Sequence, residues 1–77
     1  MKVLLFARVR DLVGADQLEV QDAATVKELR TRLMTRFPQL AGLIEKCAVA
    51  VNDEFAGDDA PIGPNAEVAL LPPVSGG

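Results

Sequence analysis

A single helical segment stands near the middle of the chain, with strand-like segments on both sides of it. It opens with Thr25, whose hydroxyl is expected to accept a hydrogen bond at the helix start, and with Glu28, which is expected to reach back in a capping box. Pro38 ends it. The apolar stripe at helical spacing consists of Val26, Leu29, Leu33 and Phe37. The side chains expected to face water are those of Lys27, Arg30, Thr31 and Arg32. Because one helix cannot bury its own stripe, it must pack on the neighbouring strands.

The segment before the helix predicts two paired strands. Residues 2–10 alternate as a strand does, and the face expected to be apolar carries Val3, Leu5, Ala7 and Val9. Gly14 is expected in the turn that leads to a second strand at residues 18–20. The two strands would then pair as a hairpin.

The segment after the helix predicts the rest of a sheet. Residues 47–51 alternate as a third strand, residues 54–64 hold at most a very short strand, and residues 67–71 form the last one. This order predicts an α+β protein with a mixed sheet of four to five strands and one main helix on one face. It is the order of the β-grasp, or ubiquitin-like, fold, in which the last strand is central and the chain leaves the sheet at its end.

Composition excludes several classes of function. The chain has 77 residues and a net charge of -3, so it fits one domain and lacks the basic surplus that nucleic-acid binding requires. It has one cysteine and no histidine, so we expect no internal disulfide, no metal site and no catalysis by this chain alone. We also expect no bound cofactor. Arg8 and Arg10 interrupt the first apolar run, which predicts a cytoplasmic protein without a membrane segment.

The last residues have a composition suited to entering another protein. They are Pro72, Pro73, Val74, Ser75, Gly76 and Gly77. Prolines favour an extended path, and glycines present the smallest cross-section. We therefore expect a β-grasp domain at residues 1–73 and a mobile tail at residues 74–77, although a tail without a function is the alternative. A terminal carboxyl group, with a pKa of roughly 3.3 to 3.7, is an anion and needs activation, such as adenylation, before it can react.

Two stretches resemble the signatures of the small subunit of molybdopterin synthase. The front stretch comprises Phe6, Ala7, Arg8, Val9, Arg10 and Asp11, followed by Gly14. The back stretch comprises Leu71 and the six residues after it. The chain is also similar to that family in length and in Ala50, Val51 and Asn52. Family members often have an aromatic pair before the prolines, where this chain has Leu70 and Leu71.

The resemblance implies a sulfur carrier that works with two partners. An ATP-dependent adenylating enzyme would activate Gly77, next to Gly76, and convert it to a thiocarboxylate. The large synthase subunit would then receive the tail, so that the sulfur reaches a cyclic pyranopterin precursor in a heterotetramer of two small and two large subunits. The residues expected to bind partners are Phe6, Arg8, Arg10, Leu71, Pro72, Pro73, Val74 and Ser75.

Other functions remain open on the sequence. The same tail would serve a sulfur carrier for thiazole synthesis or tRNA thiolation, or a ubiquitin-like modifier joined to lysines, and a plain interaction module needs no tail chemistry. Cys47 is expected in the core rather than as a reactive thiol, because it alternates with apolar residues. The acidic residues at positions 53, 54, 58 and 59 lack the spacing of a calcium loop and predict a solvated loop.

Overall fold

The computed structural model describes residues 1–73, which form a five-stranded sheet and three α-helices. The strands are β1 (Lys2–Leu5), β2 (Gln17–Glu19), β3 (Ala48–Val51), β4 (Glu54–Ala56) and β5 (Val68–Leu71). The helices are α1 (Ala7–Val13), α2 (Val26–Arg36) and α3 (Ala41–Lys46), with a 3₁₀ turn at Pro38–Leu40. None of the helices in these 73 residues is long and apolar enough to cross a membrane.

The sheet has the strand order β2-β1-β5-β3-β4, with the last strand in the centre. β5 runs parallel to β1 and antiparallel to β3. The two remaining pairs, β1 with β2 and β3 with β4, are antiparallel. The predicted mixed sheet, the central last strand and the very short strand after residue 53 are therefore confirmed, and the arrangement is a β-grasp fold.

One face of the sheet is covered by α2, which supplies the centre of the core. Val26, Leu29 and Leu33 are at most 1% exposed, as the helical stripe predicts. Full burial of an aliphatic side chain of this size contributes roughly 1.5 to 3 kcal/mol. The sheet residues beneath this helix are also buried, namely Val3, Leu5, Leu18, Val49, Val68 and Leu70. Phe37 is half-buried and lies one residue beyond the helix.

The predicted cap of α2 is confirmed in one of its two halves. Thr25 Oγ1 accepts a hydrogen bond from the Glu28 amide at 3.2 Å. The Glu28 carboxylate does not reach back to the Thr25 amide but accepts from Arg32 Nη2, at 2.6 Å, one turn further along the helix. Since that pair has i,i+4 spacing on a helix surface, it stabilises α2 from the side rather than from its end.

The prediction of one strand over residues 2–10 is wrong beyond Leu5. Phe6 is extended, Ala7 has a positive φ of 52°, and α1 follows. Val9 is still buried, at 1% exposure, but a helix rather than a strand turns it inward. β1 and β2 pair as predicted, with a helix between them in place of a tight turn.

The expectation that Arg30 faces water is also wrong. Its side chain is 14% exposed, and its Nη1 group donates hydrogen bonds to backbone carbonyl oxygens at the end of α3. The acceptors are those of Ile44 at 2.8 Å, Glu45 at 3.2 Å and Cys47 at 2.7 Å. A polar side chain thereby satisfies carbonyl groups that a helix end leaves without partners.

Candidate functional site

The predicted tail begins where the central strand ends. β5 pairs with β1 on one side and with β3 on the other, up to the pair between Ala48 and Leu71. Pro72 is half-buried and Pro73 is exposed. The tail residues predicted to react or to bind partners, Val74, Ser75, Gly76 and Gly77, lie outside the described residues. The end of β5 is held on both sides up to Leu70, which pairs with Leu5 and Val49, and on the β3 side alone at Leu71.

Phe6 and helix α1 lie at the same end of the sheet as Leu71. Because β1 runs parallel to β5 and Leu5 pairs with Leu70, Phe6 follows its strand at the edge where β5 also ends. The Phe6 side chain is 43% exposed. Arg8 and Arg10 are exposed on α1, which packs against β5. The structure thus places the front stretch at the same end of the sheet as Leu71, the first residue of the back stretch.

The two arginines of α1 differ in their partners. Arg10 Nε lies 3.5 Å from Asp11 Oδ1, in a surface ion pair. Arg8 has no carboxylate within 4.0 Å among residues 1–73. Asp11 therefore offsets part of the charge of Arg10, whereas the charge of Arg8 is not paired with a carboxylate in the described part of the chain.

The sheet face opposite α2, which we call the open face, carries apolar side chains on β1, β5, β3 and β4, and Gln17 of β2 continues the row beside Leu4. Its cross-strand partners form one row across β1, β5, β3 and β4, consisting of Leu4, Ala69, Ala50 and Phe55. Ala48 and Leu71 form the next pair toward the start of the tail. Phe55 is 76% exposed, while the leucines and alanines are half-buried.

This surface has the chemistry of a protein contact. Its central strands carry alanines, which let another backbone approach closely, and leucine and phenylalanine supply apolar area on either side. A large exposed apolar side chain such as Phe55 is unfavourable in water unless something covers it. Contiguous exposed apolar patches commonly mark interaction sites. The open face and the end of β5 therefore form one candidate surface.

The sequence predicts only part of this surface. Phe6 and Leu71 are among the predicted partner contacts, whereas Leu4, Ala50, Phe55 and Ala69 are not. The available signal was Phe55, a large apolar residue in an otherwise acidic segment, together with the small residues that alternate with buried ones in β3 and β5.

Cys47 is a core residue, as predicted. It is 3% exposed. Burial raises the pKa of its thiol, and the attraction of the nearby Arg30 charge offsets only part of that rise. A buried, protonated thiol is a poor nucleophile, so it offers no alternative reactive centre.

The predicted acidic loop is solvated. Asp53, Glu54, Asp58 and Asp59 are all exposed, and Asp58 Oδ1 lies 3.2 Å from Arg30 Nε. Across residues 1–73, no three acidic or cysteine side chains are grouped as metal ligands would be.

Known proteins that carry sulfur are similar to this chain over nearly its whole length. Residues 3–77 match the ThiS family. The chain is 42% identical over 80 residues to the molybdopterin synthase sulfur carrier subunit of Escherichia coli (strain K12), covering 100% of this chain and 99% of that protein.

Two solved structures share the fold. A chain in the complex of subunits 1 and 2 of the molybdopterin-converting factor from Helicobacter pylori 26695 is similar with a TM-score of 0.68 and 27% identity, covering 99% of this chain and 96% of that chain. The H. volcanii small archaeal modifier protein 1 is similar with a TM-score of 0.67 and 27% identity, covering 95% of each chain. The chain therefore belongs to the ThiS family and, within it, to the molybdopterin synthase sulfur carrier subunits.

Proposed function

We propose that this chain is the sulfur carrier subunit of a molybdopterin synthase and that Gly77 carries the sulfur. The observation that supports this most is the full-length match to the Escherichia coli carrier subunit, which includes the front and back stretches. The fold supports it as well, because the central strand β5 directs the chain out of the sheet just before the glycines. The chain delivers sulfur and leaves the synthase reaction to its partner.

The chemistry of the tail requires two steps before delivery. The Gly77 carboxylate attacks the α-phosphorus of ATP on an adenylating enzyme, which forms an acyl adenylate and releases pyrophosphate. A sulfur nucleophile then displaces AMP and leaves a thiocarboxylate at Gly77. ATP belongs to that enzyme, and the carrier itself binds no cofactor.

Delivery takes place in the large synthase subunit. The thiocarboxylate sulfur displaces an oxygen substituent of the cyclic pyranopterin precursor and forms a thioester with Gly77. Hydrolysis of the acyl–sulfur bond leaves the sulfur on the precursor and returns the Gly77 carboxylate, and two such deliveries build the dithiolene. The four residues after Pro73 reach about 13 Å when extended, which suits a buried pocket. Gly76 and Gly77 carry no side chain that would block a narrow channel.

The open face is the docking surface that we assign to the large subunit, together with Phe6, Arg8, Arg10 and Leu71. The Helicobacter pylori structure is a complex of subunits 1 and 2 of its molybdopterin-converting factor, and the chain that resembles ours is part of that complex. A heterotetramer with two copies of each subunit is our expectation for the assembly. We also propose that the protein acts in the cytoplasm.

The test is mass spectrometry of the C-terminal fragment after incubation with the adenylating enzyme, ATP and a sulfur donor. Replacement of one oxygen of Gly77 by sulfur is expected. The fragment is measured because oxidation of Met1 or Met34 changes the intact mass by nearly the same amount. An unchanged fragment, with an enzyme shown to be active on another carrier, would contradict the proposal, and a variant lacking Gly77 is the negative control.

A ubiquitin-like modifier is the second candidate, favoured by the similarity to the small archaeal modifier protein 1. Such a modifier would form an isopeptide bond between Gly77 and lysine side chains of other proteins. Incubation with ATP and cell lysate would then give conjugates whose tryptic peptides carry residues 47–77 of this chain on a lysine side chain. Detection of sulfur at Gly77 without such conjugates would support the carrier function and exclude the modifier function.

A further inference from the structure

A second surface lies on the helix side of the molecule, away from the open face. It is a groove of about 420 Å³ between the residues after β2 and the outer side of α2. Its lining consists of Val20, Gln21, Thr31, Arg32, Thr35 and Arg36. We propose that this groove binds an acidic peptide segment of a second partner protein, independently of the subunit that receives the tail.

The charge of the groove favours an acidic ligand. Two of its lining residues are arginines and none is acidic, although the chain as a whole has a net charge of -3. Arg36 has no carboxylate within 4.0 Å among residues 1–73. Its charge is therefore not neutralised by a neighbouring acid in the described part of the chain. An incoming carboxylate would find a cation ready to pair.

The guanidinium of Arg36 is held in place without using all of its donors. Its Nη1 group donates to the Glu19 carbonyl oxygen at 2.9 Å, and its Cζ atom lies 5.4 Å from the centre of the Phe37 ring. Within residues 1–73, its Nε and Nη2 groups have no hydrogen-bond acceptor. A fixed guanidinium loses less side-chain entropy when it binds a ligand than a freely rotating one.

The guanidinium of Arg32 is engaged by partners within the described chain. Its Nη2 group donates to Glu28 at 2.6 Å, and its Nη1 group donates to the side-chain oxygen of Gln21 at 3.3 Å. Its Nε–H group is shielded from solvent and finds no acceptor among residues 1–73. The Glu28 carboxylate offsets the charge of Arg32, so Arg36 is the main attraction for an anion and Arg32 orients Gln21.

The other residues that line the groove indicate which groups a ligand should carry besides its carboxylates. Val20 is 7% exposed at the base of the groove, and Thr31 and Thr35 contribute one methyl and one hydroxyl group each. A ligand that combines an apolar side chain with neighbouring carboxylates matches this mixture. An acidic-hydrophobic peptide therefore fits better than a small inorganic anion.

The location of the groove allows both surfaces to be occupied at once. α2 packs on the buried face of the sheet, and the groove lies on the outer side of that helix. The sheet therefore separates the groove from the open face. A protein bound at the groove would not block the docking of the open face.

The test is a nuclear magnetic resonance titration of the full nitrogen-15-labelled chain with the peptide acetyl-Glu-Leu-Glu-Leu-Glu-amide. Saturable shifts are expected at the amides of Gln21, Thr31, Thr35 and Arg36. Arg36→Glu should weaken the affinity by about tenfold or more, and Arg36→Gln by roughly threefold, because each removes the unpaired cation. Lys27→Glu makes the same charge change on the same helix outside the groove and should alter the affinity by less than about twofold.

Three results would overturn the proposal. The first is equal weakening by Arg36→Glu and Lys27→Glu, which would show attraction by net charge alone. The second is equal binding of a peptide with glutamine in place of glutamate. The third is the absence of saturable shifts in the groove. The same spectra show whether each variant is folded. If Arg36→Glu does not fold, the affinity of Arg36→Gln tests the proposal in its place.

Discussion

The guanidinium of Arg30 joins α2 to the end of α3 and to the loop after β4. Its Nη1 group serves three carbonyl oxygens, and its Nε group serves Asp58. Since an Nη group carries only two hydrogens, at least one of them must be shared between two carbonyl oxygens. Asp58 is 54% exposed, so the ion pair adds little, and the contribution of Arg30 comes chiefly from the carbonyl groups.

At this residue we predict that Arg30→Met lowers the free energy of unfolding by about 2 to 3 kcal/mol. The substitution keeps most of the buried stem but leaves shielded carbonyl groups without a donor, which costs roughly 1 to 3 kcal/mol for a buried polar group. Urea denaturation measures the change. Lys27→Met on the exposed side of the same helix is the control, with an effect within about 0.5 kcal/mol. Equal effects of the two substitutions would show that Arg30 acts only as one more surface charge.

Helix α1 is the element at which the sequence prediction and the structure disagree, because a strand was predicted there. Its apolar residues fit a strand as well as a helix, because a short apolar run does not distinguish the two periods. The decisive feature is the positive φ of Ala7, a conformation that alanine rarely adopts. At the other end, Gly14 has a φ of 84° and donates its amide hydrogen to the Arg10 carbonyl oxygen at 2.8 Å. Gly14 was predicted in the turn of a hairpin, and it does form a turn before β2, but as the C-cap of α1.

At this element we predict opposite effects for two substitutions of similar size. Gly14→Ala should lower stability by about 1 kcal/mol, because a left-handed φ is unfavourable with a Cβ atom even where space is open. Ala7→Gly should raise stability by about 0.5 kcal/mol, because relief of the left-handed strain exceeds the added entropy of the unfolded chain. Thermal and urea denaturation measure both. Gly42→Ala, in helix α3 with open space around it, is the control and should be stabilising.

The other elements could be predicted because each has a local signal. Thr25 and Pro38 bound the long helix, and Asn52 and Asp53, residue types common in turns, join β3 to β4 with positive φ values of 52° and 67°. The open face could not be predicted in the same way. Its row of residues comes from four separate strands, and only the pairing register of the folded sheet aligns them. The burial of Arg30 likewise depends on where α3 packs against α2.

In the molecule as a whole, the two faces of the sheet differ in role. The open face is available for binding a partner, and the face covered by α2 forms the core. The open face is apolar although it is not covered by any described element, whereas α2 seals the opposite face. Phe55 contributes the most exposed of the large apolar side chains in residues 1–73, at 76%. Its replacement should therefore affect partner binding far more than folding.

We predict that Phe55→Asp weakens binding of the separately purified large subunit by about tenfold or more, because it places a charge in an interface and removes an aromatic contact. Its free energy of unfolding should change by less than about 1 kcal/mol. Calorimetric titration and urea denaturation measure the two quantities. Thr31→Asp, on the helix side, is the control and should leave this affinity unchanged. Normal binding by Phe55→Asp would exclude the open face as the docking surface.

Two groups make the stability of the whole chain sensitive to alkaline pH. The Met1 amino group lies 3.2 Å from Glu19 Oε1 and 3.3 Å from Asp22 Oδ1. Partial desolvation lowers the pKa of this amino group, but the hydrogen bonds and charges of Glu19 and Asp22 outweigh that effect and raise its pKa overall. Burial raises the pKa of the Cys47 thiol, with partial compensation by Arg30. Both groups therefore hold a proton more tightly in the folded protein than in the unfolded one.

The sign of the pH dependence is the same for both groups. The unfolded amino group and thiol lose their protons near about pH 8 and about pH 8.5, while the folded protein keeps them protonated to higher pH. Their contribution is thus complete below about pH 7 and is lost as the pH rises through the folded values. We predict that urea denaturation shows a falling free energy of unfolding from about pH 7 to about pH 10. Acetylation of the Met1 amino group removes one part of this fall and Cys47→Ala removes the other. An equal fall in the protein that carries both changes would exclude these two groups as its cause.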